Sequence, residues 1–463
     1  MSYLVKPQDR APARRDPLVP DETLPTTCVI GAGSSGIAAA KALYEARLPF
    51  DCFELGSAIG GTWVYENPNG QSACYETLEI NTSCPRMAYS DFPMPDDYPD
   101  YALHHQVADY FQAYVDHFGF RHTITFDTRV DRVERTEEDR WLVSVTGPDG
   151  PQQRAYDNVM VANGHHWDAR LPDPAYPGSF DGEQIHSHAY SSAAQLADRD
   201  VVVVGAGNSA MDIAVEAAKV ARSAVISQRR GQWVLPKYAL GRPADQLTLP
   251  SRLPFWFTAV RMAFGAGVAG NVARLGLPQP EHKPWQSHPV QSEGIRDALR
   301  SGRLTPKPGI DRLDGDRVVF TDGTSAPCDL LIWATGYRVT FPFLDPELVS
   351  AEGNDLPLWK RMVHPDLPGL FFIGLLQPLG AVMPLAEAQG VLVADLLTGR
   401  YALPSTAELR SQMAADDAAY KKRFYTSARH TMEVDFDHYL WELRRERARG
   451  AERAAATRQG VPA

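Results

Sequence analysis

The chain has 463 residues, 44% hydrophobic, 22% charged and 10% aromatic, the composition of a folded globular protein rather than a collagen-like or disordered one. Lys plus Arg total 46 against 57 Asp plus Glu, a net charge of -11, so the mean surface field repels polyanions and nucleic acid is not an expected partner. Cys28, Cys52, Cys74, Cys84 and Cys328 form no C-x-x-C pair, which fits neither a disulfide framework nor a zinc site and points to a reducing, cytoplasmic setting.

Residues 1–25 carry Arg10, Arg14, Arg15 and Asp16 among prolines, without the apolar core that a translocon reads, and are expected as a flexible N-terminal lead. The apolar run from Thr26 to Ile30 ends in Gly31-Ala32-Gly33-Ser34-Ser35-Gly36, and an Ala-rich segment follows to Arg47. This is strand, glycine turn, helix. Gly31 makes the tight turn, Gly33 lets backbone approach a pyrophosphate, and Gly36 lets helix pack on strand, with the phosphate on the helix N-terminus. A second strand, Phe50 to Glu54, ends in an acid about twenty positions after Gly31, where ribose hydroxyls are bound. The acidic, proline-rich stretch Asp91 to Asp100 reads as a solvated loop.

Asp157 to Gly164 is acid, buried strand, then glycine, and Asp329 to Gly336 repeats it. Between them a second unit begins: Asp200 to Val204 runs into Gly205-Ala206-Gly207-Asn208-Ser209-Ala210 and an Ala-rich helix that carries Asp212. Ala210 replaces the third glycine and is still small enough for packing. The matching second strand, Ser223 to Ser227, is followed by Gln228-Arg229-Arg230, a base where the first unit has its acid. A guanidinium there pairs with a 2′-phosphate that a carboxylate would repel, so the first unit reads as an FAD site and the second as an NADPH site.

His165, His166, His186 and His188 lack an accompanying carboxylate pattern and are read as loop and linker residues, not a metal cluster. The insertion Trp233 to His288 is too long for a bare loop and is expected to face substrate. Its most apolar window, Leu253 to Gly270, is broken by Arg261 and glycines, so a buried helix or lid is expected rather than a membrane span. An exposed apolar insertion is also compatible with a homodimer. Leu370 to Leu375 is a further buried strand that pairs back into the first unit. Pro384 to Gln389 opens a helix whose dipole would face the flavin pyrimidine edge, and Gln389 is counted with the flavin site.

The fold class is α/β, two Rossmann-like doubly wound dinucleotide-binding domains with the NADPH domain inserted in the FAD domain. The expected boundaries are 26–171 and 337–443 for the FAD domain and 172–336 for the NADPH domain, with the insertion at about 233–288. Pro172 to Pro177 and Tyr337 to Pro342 form the hinge. Residues 444–463 make a charged tail, expected as a solvated, fraying helix end. Hydride passes from nicotinamide to flavin, and with no redox cysteine pair and no iron–sulfur or haem ligand set in the sequence, O2 is the remaining small acceptor.

Phe180 to Tyr190 (FDGEQIHSHAY) resembles the F-x-G-x-x-x-H-x-x-x-Y fingerprint of class B flavin-containing monooxygenases. Gly60-Gly61-Thr62-Trp63, Asn81-Thr82-Ser83, Ser90-Asp91-Phe92-Pro93 and Ala334-Thr335-Gly336-Tyr337 extend the resemblance over most of the chain. Related Baeyer–Villiger enzymes usually end the fingerprint in Trp, so Tyr190 points to the N- and S-oxygenating branch, while Ser191 and Gln195 depart from the family pattern. The resemblance implies that NADPH reduces FAD, NADP+ stays bound, and O2 adds at the flavin C4a to give a hydroperoxide that oxygenates an amine or sulfide. It assigns Thr62, Trp63 and Thr82 to the cofactor sites and Asn81, with Asn208, to the reacting centre, where an amide donates and accepts without titrating. Ketone oxygenation of the Baeyer–Villiger type, an uncoupled NADPH oxidase or flavin reductase, and a nucleotide sensor without turnover are the alternatives.

Overall fold

Valine-rich and isoleucine-rich runs of four or five residues, each followed by a glycine turn, form parallel strands buried on both faces. The computed structural model describes residues 3–14, 16–246, 255–269, 271–287, 289–423 and 432–459. The first parallel sheet has the order Leu370–Phe372, Asn158–Val161, Thr27–Ile30, Phe50–Phe53, Ile124–Thr125, with Thr27 in register with both Phe50 and Asn158. The helices Ser34–Glu45, His104–Phe118 and Met383–Leu397 pack together on one side of it. On the other side lies an antiparallel sheet of Arg129–Arg135, Trp141–Gly147 and Gly150–Tyr156, whose buried Trp141 shares a core with Phe53 and Phe372.

The second parallel sheet has the order Glu183–His186, Leu330–Trp333, Asp200–Val204, Ser223–Ser227, Thr305–Lys307. It is complete before the chain returns, at Leu370–Phe372, to pair with Asn158–Val161 of the first. The fold is therefore two doubly wound α/β domains, one interrupting the other. The two chain crossings pair as antiparallel strands, Asp168–Ala169 with Tyr337–Arg338. Arg338 binds Asp168 at 2.9 Å and Arg170 donates to the Thr335 carbonyl at 3.1 Å.

Gly31 has φ +99, which favours glycine, and a Cβ there would lie 2.7 Å from the Ala162 carbonyl oxygen. At Gly36 a Cβ would stand 1.7 Å from the Gly31 carbonyl oxygen, so helix and turn touch through bare backbone. The second unit accommodates the Ala210 methyl in a fully buried position.

The two ends of the chain differ from expectation. The segment expected as a flexible lead is fastened down: Val5 is buried and its N–H donates to the Pro85 carbonyl at 2.7 Å, while Tyr3 donates to the Ala88 carbonyl at 2.7 Å and sets its ring edge on Phe436. Two apolar anchors among charges and prolines suffice. The tail expected to fray continues the helix Phe436–Arg458, which docks through Leu443, Glu446, Gly450 and Ala454. Gly450 admits the Tyr401 ring, Arg447 pairs with Asp395 at 2.5 Å, and Glu446 accepts from Tyr401 at 3.1 Å. Its charges find partners far away in sequence, which local alternation of Arg, Glu and Ala does not reveal; residues 460–463 lie outside the described residues.

Two internal stretches also differ. In the loop expected to be solvated, Phe92 and Met94 are buried and Asp91 pairs with Lys41. Within the apolar window, Phe255–Ala269 is a helix, and of the buried helix or lid expected it is not the fully buried one: Ala266 is buried, while Val260 and Phe264 are 59% and 72% exposed. Residues 253, 254 and 270 of that window, with 247–252 and 288 of the insertion, lie outside the described residues. Among the described residues no helix is long and apolar enough to cross a membrane.

Two outcomes follow from this packing. Gly36→Ala drives the helix off its turn and is expected to give folded protein that retains little FAD, measured as flavin absorbance per polypeptide. Glu387 accepts from the Ser90 N–H at 2.8 Å, and burial pushes its carboxyl up to about 7, against the pull of Lys41. A raised carboxyl favours the protonated folded state, so this contribution to stability is lost as pH rises from the ordinary glutamate range through about 7, by roughly 3 kcal/mol in all. Glu387→Gln is expected to reduce the fall in Tm between about pH 5 and about pH 7.

Candidate functional site

The C-terminal ends of the first sheet's strands open into a cavity of about 1620 Å³. Gly31, Gly33, Ser34 and Ser35 form one wall at the start of the helix Ser34–Glu45, where unpaired N–H groups and the helix dipole favour an anion. The Gly61–Trp63 turn brings Thr62 and Trp63 to the cavity, and its backbone lies against Gly33, so that a Cβ on Gly61 would stand 3.1 Å from the Gly33 Cα. Asn81 and Thr82 enter from a loop of the first domain and Asn208 from the glycine turn of the second. The insertion adds Leu235, Tyr238, Leu240, Met262 and Phe264, an apolar side with Leu240 94% exposed.

Glu54 lies at the end of its strand and lines the same cavity. One carboxylate oxygen accepts from the Ala32 N–H at 2.6 Å and the other from the Gly56 N–H at 2.7 Å. Burial raises its pKa and these two donors oppose the rise. The acid is thus fixed in place, with lone pairs left for a diol.

The Asn81 loop is held from both flanks. Lys237 Nζ donates to Glu79 at 2.5 Å and to the Ile80 carbonyl at 3.2 Å, and the Ser83 N–H donates to Asp245 at 2.7 Å. Lys237 and Asp245 both belong to the insertion. Among the described residues no hydrogen bond engages the Asn81 side chain, so its amide is not spent on shaping the loop. Asn208 Oδ1 accepts from the Gln291 N–H at 3.1 Å, which fixes that side chain on the facing wall.

His165 and His166 also line the cavity, their ring centroids 4.3 Å apart, with His166 exposed. His186 lies instead at the chain crossing, with its ring 5.2 Å from that of Tyr337, its pKa pushed down to about 4 by burial, and its Nδ1 accepting from the His188 N–H at 3.0 Å. Among the described residues no group of three or more His, Cys, Asp or Glu is placed to hold a metal ion.

Other residues singled out from the sequence stand away from the cavity wall. Ala32 and Gly36 are buried behind the first turn. Gly205, Gly207, Ser209 and Ala210 make the corresponding turn of the second sheet, and Arg229 and Arg230 are exposed just beyond the strand Ser223–Ser227. Asp212 and Gln389 are engaged by protein. Asp212 accepts from the Tyr75 hydroxyl at 2.6 Å, and desolvation pushes its carboxyl up to about 6. Gln389 accepts from the Gly374 N–H at 2.8 Å and donates to the Tyr439 hydroxyl at 2.7 Å.

Sequence reasoning missed Glu79, Lys237 and Asp245 around the Asn81 loop, and Trp441 from the C-terminal helix, which also lines the cavity. No local pattern marks them, because their placement is decided by packing between segments more than a hundred residues apart. The residues that are in place fit FAD: a bare-backbone cradle for pyrophosphate, an acid for ribose, and a long, largely apolar cavity for the ring system.

Residues 26–449 match the family model described as flavin-binding monooxygenase-like. Flavin-containing monooxygenase 5 of Mus musculus is 34% identical over 438 residues, covering 90% of this chain and 81% of that one. The N-oxide-forming dimethylaniline monooxygenase 2 of Rattus norvegicus is 32% identical over 438 residues, with the same coverage of 90% and 81%. Among solved structures, S-allyl-L-cysteine S-oxygenase from Allium sativum superimposes with a TM-score of 0.69 at 24% identity, covering 94% of this chain and 93% of that one, and carries the fold. With the match spanning both nucleotide units and the cavity between them, the chain belongs to the flavin-binding monooxygenase-like family.

Proposed function

We propose that this chain is an NADPH- and O2-dependent monooxygenase that oxygenates a soft nucleophile, an amine nitrogen or a sulfide sulfur. The observation that carries the reading is the convergence of Asn81, from the flavin domain, and Asn208, from the nucleotide turn of the second domain, on one cavity that begins at the Gly31–Ser35 cradle. Membership of the family supports FAD and NADPH as the cofactors and the monooxygenase chemistry.

Bound in this cavity, FAD would supply the hydride-accepting and O2-activating chemistry, with NADPH as the reductant. The protein's share is to bind, orient and keep water out. Gly31, Gly33, Ser34 and Ser35 receive the flavin pyrophosphate, Glu54 its ribose, and Thr62, Trp63 and Thr82 the cavity side of the cofactor. Gly205, Gly207, Ser209 and Ala210 receive NADPH, with Arg229 and Arg230 at the 2′-phosphate. Asn81 and Asn208 supply non-titrating amide donors and acceptors where nicotinamide, flavin and oxygen meet. Residues 26–171 and 337–443 are assigned to the FAD domain, on which the rest of the helix Phe436–Arg458 also packs, and 172–336 to the NADPH domain. The apolar side contributed by Tyr238, Leu240, Met262 and Phe264 suits a lipophilic substrate.

The direct test reduces the FAD-loaded protein anaerobically with NADPH and mixes it rapidly with aerated buffer. A near-ultraviolet transient distinct from oxidised flavin, together with an N-oxide or sulfoxide product, is expected; immediate return of oxidised flavin with one H2O2 per NADPH, in the presence of every amine and sulfide tried, would overturn the reading. Arg229→Ala combined with Arg230→Ala is expected to raise KM for NADPH about tenfold or more while leaving KM for NADH within about twofold, because only NADPH carries the 2′-phosphate. Equal losses for both coenzymes would remove the arginines from that role. Asn81→Ala is expected to accept hydride at nearly the wild-type rate but to divert most electrons to H2O2, read as peroxide formed per NADPH consumed.

A further inference from the structure

We propose that Tyr190, Asp212 and Glu216 are positioning residues that hold the Asn81 loop of the flavin domain against the nucleotide helix beginning at Asn208; the role rests on the reading above. On the helix Asn208–Val220, positions 208, 212 and 216 fall one turn apart on a single face. Asn208 reaches the cavity, whereas Asp212 and Glu216 do not. They bind instead to a turn of the other domain, Tyr75 to Leu78, closed by the Leu78 N–H on the Tyr75 carbonyl at 2.9 Å. Tyr75 donates to Asp212 at 2.6 Å and Thr77 donates to one oxygen of the buried Glu216. The other oxygen of Glu216 accepts from the Tyr190 hydroxyl.

Tyr190 closes the fingerprint that the sequence singled out, and its ring lies 5.8 Å from that of Tyr75. The next residue completes the fastening, since the Ser191 carbonyl accepts from the Glu76 N–H at 2.7 Å. Tyr75 itself is 5% exposed and belongs to the core of the second domain, alongside Val201, Val203, Ile213 and Ile332. Immediately beyond this turn, Leu78, Glu79, Asn81 and Thr82 line the cavity. None of Tyr75, Thr77, Tyr190, Asp212 or Glu216 does, so their influence on the reacting centre passes through Asn81 and Asn208. Removing the Tyr190 hydroxyl leaves a buried carboxylate oxygen without its donor, and the arrangement that keeps the two amides facing one cavity loses a fixed point.

The test compares Tyr190→Phe, Thr77→Val and Thr77→Ser in the full, FAD-loaded protein by amide hydrogen exchange over residues 75–83, NADP+ affinity by calorimetry, Tm, and peroxide formed per NADPH. Tyr190→Phe and Thr77→Val are expected to speed exchange in 78–83 about tenfold, weaken NADP+ binding about threefold or more, and raise the peroxide share about threefold. Thr77→Ser, which keeps the donor, should restore wild-type values. A lowered Tm with unchanged exchange, NADP+ affinity and peroxide share would reduce the network to ordinary stabilisation and overturn the proposal. If the wild type itself releases all electrons as peroxide, the oxygenation reading fails, while exchange and NADP+ affinity still decide the role of Tyr190, Asp212 and Glu216.

Discussion

The contact between Gly36 and the Gly31 carbonyl sets the geometry on which the site depends. With no side chain at either position, the helix Ser34–Glu45 lies directly on its turn, and its N-terminal end opens on the cavity, where its amides favour an anion. Glu54 then braces the turn from the neighbouring strand by accepting from Ala32. The Gly61 backbone, at φ +55, closes in on Gly33, and a Cβ on Gly61 would stand 3.1 Å from the Gly33 Cα. The second unit relaxes this constraint at Ala210, whose methyl is buried without forcing helix and strand apart.

The parts of this design that are local were legible in the sequence. Strand, glycine turn, helix and second strand occupy consecutive residues, so both turns and the place of Glu54 at the end of its strand could be read from spacing alone. The return of Leu370–Phe372 to the first sheet was also legible, because a fully apolar strand is buried on both faces and this one has no other sheet to pair with; it takes the edge beside Asn158–Val161. Asp212 illustrates the limit. In the sequence it is an acid one turn into a nucleotide-binding helix, while in space the nearest donor is the hydroxyl of Tyr75, from the other domain.

The same limit applies at the chain ends and around the Asn81 loop. Tyr3 and Val5 look like isolated apolar residues in a charged lead, and Gly450 like an interruption in a solvated helix, until Phe436 and Tyr401 are placed beside them. Lys237 and Glu79, more than a hundred and fifty residues apart, carry no mutual signature, yet their ion pair ties the apolar insertion to the loop that bears Asn81. An insertion that lines the cavity also steadies the polar residue within it.

The seating of Tyr75 has a consequence for how this architecture can be recombined. A side chain that the flavin domain supplies to the core of its neighbour makes the second domain an incomplete unit when cut at the chain crossings near Ala169 and Tyr337. A chimera that exchanges only that domain between relatives would transfer a socket without its plug, leaving Val201 and Ile213 against a foreign turn. The natural module for exchange is discontinuous: the inserted domain together with the short Tyr75 to Leu78 turn, two pieces of chain that share one core although some hundred residues separate them.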